Sequence, residues 1–289
     1  MDFNEYINNA WVRHATDALG VAGTFGDGLK LVQNEENLEQ LGRIATHIYG
    51  EHLGKWNEGI SFLNILSQNA YFSQNSAVSK SFSIFSGSLS LSANSYFDLT
   101  SYSVSDQIRI LSMSASALSE QGESDMAKNY FLKALEFGRS GLAKDDPANR
   151  SLAITGNNLA CVLEERQGRS EKETSLMILA AQVAREFWEL IGTWKEVGRA
   201  EYRLSQSFLQ ASKIEESCTH AQNCIDICNE NSAPALEFFF AYEALALAEK
   251  AIGNDVGYKA AVEQLKDYFA LLPDEDKSWC EQTLQKFVF

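Results

Sequence analysis

The stretch Leu111-Ser-Met-Ser-Ala115-Ser-Ala-Leu118-Ser-Glu-Gln-Gly122-Glu-Ser-Asp-Met-Ala127-Lys-Asn-Tyr130-Phe131-Leu-Lys-Ala134-Leu135 decides the fold. After Gly122, the apolar set Ala127, Tyr130, Phe131, Ala134 and Leu135 follows the i, i+3, i+4, i+7, i+8 pattern of one helix face. Before Gly122, Leu111, Ala115 and Leu118 recur at helical spacing as well. Small residues stand where two helices must approach, and a phenylalanine stands where their groove needs filling. The stretch therefore reads as a helix, a glycine turn and a second helix.

Working outward, this unit recurs at a period of 34 residues. Gly59, Ala93 and Ala127 form one small-residue column, and Leu63, Phe97 and Phe131 form a bulky one four residues later. Leu66, Thr100 and Ala134 follow, His47, Ser81 and Ala115 precede, and Gly54, Ser88 and Gly122 make a turn-prone column between the helices. A unit of this size cannot bury its apolar face alone and must stack on a neighbour. Between residues 73 and 119 the chain holds 17 serines. Within that stretch Ser83-Ile84 and Ser88-Leu-Ser-Leu-Ser92 alternate with the period of a strand. The 34-residue register overrides the alternation and predicts helix there too.

The second half lengthens the spacing: small residues open similar patterns at Ala160, Ser205 and Ala246. The fourth unit contains Asn157-Asn-Leu-Ala160, the fifth Leu204-Ser205 with Ser217, Ala221 and Cys224, and the sixth turns at Gly253-Asn254. Upstream, residues 3–32 carry Tyr6, Ala10, Trp11, Ala15, Ala18 and Leu19 at helical spacing, then reach a Gly-rich turn at Gly23-Thr-Phe-Gly-Asp-Gly28, and read as one extra helix over the end of the stack. Pro273-Asp274 opens a last helix, so residues 1–37 and 273–289 are expected to cap an array spanning 38–272.

These residues resemble the tetratricopeptide repeat family, and the third unit matches its small–large–small signature closely. The later units resemble the longer kinesin-light-chain type, whose first helix often contains Asn-Asn-Leu-Ala. The chain departs from the pattern in lacking the first-helix Trp and the terminal Pro of each unit. The resemblance implies an all-α, right-handed α–α superhelix of about six helix pairs, and a binding scaffold in place of a catalyst. In the family, the positions three before and one after the first-helix small residue face the concave groove. Carried over, these are Ile44, Val78, Ser112, Asn157 and Tyr202, followed by Ile48, Phe82, Ser116, Cys161 and Gln206. Family members that clamp the acidic tails of heat-shock chaperones place Lys in these columns, and none stands here. The resemblance thus implies a groove that is apolar at its N-terminal end and neutral-polar later. Phe82, Ser116, Asn157, Tyr202 and Gln206 are its candidate binding residues. Asn157 is best suited to hold a peptide main chain, because its amide both donates and accepts.

Composition narrows the partners. The net charge of −15 argues against nucleic acid and against an anionic membrane surface, both of which select clustered Lys and Arg. No apolar run approaches the ~20 residues of a membrane span. The start Met1-Asp2-Phe3-Asn4-Glu5 lacks a basic signal-peptide region. The five cysteines are odd in number and lie within helical patterns, as expected of reduced thiols in a cytoplasm.

Catalytic and metal chemistry find little purchase. His220, Cys224 and Cys228 fall at i, i+4 and i+8 on one helix face, but no further pair completes a zinc set, and Cys224 occupies a packing column. His14, His47, His52 and His220 are scattered along the chain, and no nucleophile elbow or phosphate loop occurs. The expectation is a non-enzymatic, cofactor-free, metal-free protein that binds a protein or peptide partner. A regulatory sensor of short peptides or small ligands, or a scaffold that pairs with a second copy of itself, are the alternative classes. The C-terminal Phe287-Val-Phe289 is able to fill an apolar groove in its own or a neighbouring chain.

Overall fold

The computed structural model describes residues 1–287. These residues form fifteen α-helices, one π-helical turn and one 3-10 turn, and no strand occurs among them. The chain divides into two compact units, Met1–Thr155 and Gly156–Phe289.

The first unit opens with α1 (Phe3–Arg13), started by a capping box in which Asp2 and Glu5 satisfy each other's backbone N–H groups. The extra helix expected ahead of a Gly-rich turn breaks into α1 and α2 (Ala18–Gly23), and the Gly23–Gly28 stretch expected to turn instead carries most of a further short helix, α3 (Phe25–Lys30). Asp17 is the reason for the first break: its carboxylate accepts from the Gly20 N–H and caps a new helix. Gly28 admits the Tyr6 ring, whose Cε1 lies 2.4 Å from where a Cβ would stand.

Next come α4 (Glu35–His47), a π-helical turn (Ile48–His52) and α5 (Trp56–Leu66), with Gly54 turning the chain at φ +60°. Helix α6 (Ala77–Ser92) covers the alternating serine stretch, so the helical register prevails over the strand-like alternation. Its serines spend their hydroxyls on the helix itself: Ser88 Oγ donates to Phe85 O and Ser92 Oγ to Ser88 O.

The register slips at the end of α6. Ser88 was expected to turn the chain, with Ala93 and Phe97 opening a second helix. Instead α6 runs through Ser88, and Ala93 is its C-cap. The turn moves on to Asn94, which adopts φ 53°, a region that asparagine enters more readily than most residues. That leaves only a 3-10 turn (Leu99–Ser101) before Ser103 caps α7 (Val104–Glu120). Phe97 still packs inward, its ring over Gly87, where a Cβ would lie 2.6 Å from Cζ.

Helix α8 (Ser124–Arg139) pairs with α7 through the columns that define the repeat: Ala115, Ala127, Phe131 and Ala134 are all fully buried. Gly122 turns between them at φ +83°. Pro147 opens α9 (Pro147–Glu165), within which the division between the two units falls.

The second unit continues with α10 (Glu171–Ile191), α11 (Trp194–Gln210), α12 (Ile214–Glu230), α13 (Ala235–Ile252), α14 (Asp255–Ala270) and α15 (Asp274–Gln285). From α10 onward each helix packs on the next, and α11 also packs on α13, an arrangement consistent with stacked helical hairpins. Phe287 is buried with Phe239, Leu265 and Cys280 against α13 and α14, so this C-terminal ring fills a space in its own chain. Val288 and Phe289 lie outside the described residues. No helix of the described residues is long and apolar enough to cross a membrane.

Candidate binding pocket

A pocket of about 480 Å3 opens in the second unit, walled by α11, α13 and α15. The sequence of α11 builds one side. Trp194, Gly198 and Tyr202 stand four residues apart and so share one face, and Lys195, Arg199 and Arg203 form the adjoining ridge. A capping box of Thr193 and Glu196 sets where this helix begins. Opposite, α13 contributes Leu236, Glu237 and Phe240, and α15 contributes the half-exposed Trp279.

The aromatic rings are mutually ordered. Tyr202 meets Phe240 edge-on with centroids 5.9 Å apart, and Phe240 stacks on Trp279 at 5.5 Å. Such pairs hold their rings in fixed orientations beyond simple burial. Cys224 and Cys228 of α12 also line the space. The Cys224 thiol donates to the Gly198 carbonyl oxygen at 3.2 Å. Hydrogen bonding with Cys228, then burial, holds Cys224 far above the ordinary thiol range, so it stays protonated and unreactive.

Charge is arranged around the rings. Glu237 accepts from Arg199 Nε at 3.1 Å and Nη2 at 2.6 Å, and Lys195 Nζ lies 3.3 Å from the same carboxylate. Arg203 donates to Glu164, which also accepts from Ser207 Oγ at 2.6 Å. The Tyr202 hydroxyl donates to Glu243 at 3.0 Å. Three cations and one carboxylate thus line a pocket in a strongly acidic chain.

Two of the five expected binding residues, Asn157 and Tyr202, line this pocket together. Gln206, one turn beyond Tyr202, is half-buried, with an Nε2 that has no partner among the described residues. Phe82 and Ser116 belong to the first unit and are buried. The Phe82 ring packs over Gly42 and beside Phe72, so it fills helix contacts, although it also edges a shallow pocket with Phe97 and Tyr102. The same holds for Ile44, Ile48, Val78 and Ser112, which are buried where an apolar groove was expected.

The resemblance implies a neutral-polar groove here, whereas the lining of this pocket is cationic and aromatic. Lys195, Arg199, Trp194 and Trp279 were missed because only two positions per helix were carried over. The Lys-x3-Arg-x3-Arg and Trp-x3-Gly-x3-Tyr ridges of α11 were the readable signal.

The metal-ligand trio weighed on α12 is put to other uses. His220 stacks on Phe208 and places Nδ1 2.6 Å from Glu201, while Cys224 is engaged with Gly198. The other histidines are not scattered in space: His14, His47 and His52 each bring a ring nitrogen to within 4.8 Å of the others. No protein-family profile matches this chain. No curated protein matches it either.

Proposed function

We propose that this chain is a tetratricopeptide-type right-handed α–α superhelix of about six helix pairs that binds protein or peptide segments without catalysing a reaction. The observation that carries the reading is the pocket on α11, α13 and α15, with three mutually ordered aromatic rings and Trp194 beside a ridge of three cations. Aromatic walls supply affinity by burying an inserted aliphatic or aromatic side chain. The cationic ridge supplies orientation. Arg199 engages Glu237 through Nε and Nη2, which leaves Nη1 of a half-exposed guanidinium for a ligand carboxylate. A segment carrying an acidic group beside an apolar anchor fits this chemistry. Asn157, on the wall from α9, adds an amide able to hold the main chain.

Selection of peptides from a random display library on the full chain, followed by calorimetric titration, tests this reading. Enriched peptides should pair Asp, Glu or a free carboxylate with an apolar residue. Their affinity should fall about tenfold or more in Trp279→Ala and in Arg199→Ala, consistent with ~1–3 kcal/mol per interface anchor. It should also weaken as salt rises. Selected peptides that bind both variants as tightly as the parent chain place recognition elsewhere and overturn the assignment.

A further inference from the structure

The first unit holds a cluster that the binding reading does not use. Helix α4 ends at His47, and the chain continues as a π-helical turn in which Leu53 N–H donates to Ile48 O at 2.9 Å. In an ordinary α-helix, residues five apart stand ~140° round the axis from one another. The wider π-turn instead brings His47 and His52 to one side, with ring centroids 4.7 Å apart and Nε2 atoms 3.1 Å apart. π-turns are rare and concentrate at functional sites. His14, the C-cap of α1, completes the group with ring centroids 5.1 Å from His47 and 5.2 Å from His52.

The hydrogen bonds around these rings set their tautomers. His47 Nδ1 lies 3.1 Å from the Glu51 carboxylate, an acceptor, so that nitrogen carries the hydrogen and Nε2 presents a lone pair, to which His52 Nε2–H donates at 3.1 Å in the metal-free chain; a bound ion takes the place of that hydrogen. His14 Nδ1 contacts the Trp11 carbonyl oxygen, which leaves its Nε2 as the lone-pair nitrogen by the same argument. A carboxylate or carbonyl behind the far nitrogen is the outer support that metal-ligating imidazoles ordinarily have. The spacing agrees. Zinc–nitrogen bonds of about 2.0–2.1 Å put two ligands of a tetrahedral ion about 3.3 Å apart, close to the His47–His52 separation. The third ring nitrogen lies within 4.8 Å of the other two, so reaching that distance takes a side-chain shift of no more than about 1.5 Å at a half-buried position.

We propose that His14, His47 and His52 form a binding site for one divalent transition-metal ion of the zinc class, with Glu51 as a positioning residue behind His47. Imidazole nitrogens suit zinc, nickel and copper, whereas an all-oxygen set would suit magnesium or calcium. The ion ties α1 to the junction of α4 and its π-turn, all within the first unit. Trp11, with its ring centroid 5.3 Å from His14 and 5.4 Å from His47, closes one side of the cluster.

Calorimetric titration of the chelator-treated full chain with zinc chloride at pH 7.5, with thermal melts alongside, tests the site. One zinc per chain is expected, with a melting temperature that rises on zinc addition. His14→Ala replaces a half-buried cap, and circular dichroism checks that it keeps the fold. It should weaken zinc binding at least tenfold and abolish the melting shift. Glu51→Gln should weaken binding ten- to a hundredfold. With cobalt in place of zinc, Glu51→Gln should shift the visible absorption band while the metal-free melt stays unchanged. His220→Ala should bind as the parent does. Three results overturn the proposal: no uptake at micromolar zinc, uptake that survives the His14→Ala/His47→Ala double substitution, or equal loss of binding in His220→Ala.

Discussion

The Tyr202 hydroxyl donates to the Glu243 carboxylate at 3.0 Å, linking α11 to α13 beside the pocket. Burial pushes the Glu243 carboxyl above the ordinary glutamate range, and the nearest cation, Lys286 Nζ, is 3.9 Å away. This bond is therefore a main compensation for a buried acid. Tyr202→Phe should cost about 1–3 kcal/mol at pH 7, the range for leaving a buried polar group unsatisfied. The raised folded pKa fixes the sign of the pH dependence: the contribution of Glu243 is most favourable below its unfolded value of about 4.3 and is lost as pH rises through the folded value. Urea unfolding at pH 4 and pH 7 should therefore show a smaller gap between variant and parent at the acidic pH. An equal gap at both contradicts the account.

Arg203 and Glu164 make the second buried couple. Burial pushes the Glu164 carboxyl up, and Arg203 with Ser207 offsets it. Arg203→Met leaves that carboxylate without its cation and should destabilise by about 3–5 kcal/mol. The double variant Arg203→Met/Glu164→Gln should recover most of the loss. Chemical denaturation of the single and double variants checks this, and additive losses contradict it.

Gly156 tests helix packing against helix propensity. Alanine in a helix interior gains ~1 kcal/mol over glycine from propensity alone. A Cβ here, however, would lie 2.6 Å from the Ala180 carbonyl oxygen and 2.9 Å from the Ala184 backbone nitrogen. Backbone atoms cannot swing aside as a side-chain tip can. Gly156→Ala should therefore lower the melting temperature, with a cost of about 1–3 kcal/mol. A variant that melts higher shows that α9 and α10 do not approach so closely.

The repeat itself is tested at Ala127, fully buried in the α7–α8 pair. Ala127→Trp overfills that contact and should destabilise by at least 1–3 kcal/mol, whereas Ala127→Ser should be far milder. A tryptophan variant with the parent's melting temperature contradicts the alignment of the third unit.

Periodicity in the sequence determined that the chain is helical, and placed the α7–α8 pair and the glycine turns at Gly54, Gly122 and Gly253. Those features depend on residues near each other in the chain: apolar positions at helical spacing, and glycines that accept positive φ. The columns carried over from the family resemblance include Asn157 and Tyr202, which line the same pocket. Periodicity misplaced the turn after α6, because the column is a property of neighbouring repeats, whereas the stop depends on which local residue tolerates the left-handed region. Only the tertiary structure decided that Phe82 fills the core, that Trp279 of α15 stacks on Phe240 of α13 in the pocket that α11 also lines, and that His14 meets His47 and His52. Such meetings join residues from separate helices, and helical period specifies which face a residue occupies without specifying which distant element will cover it.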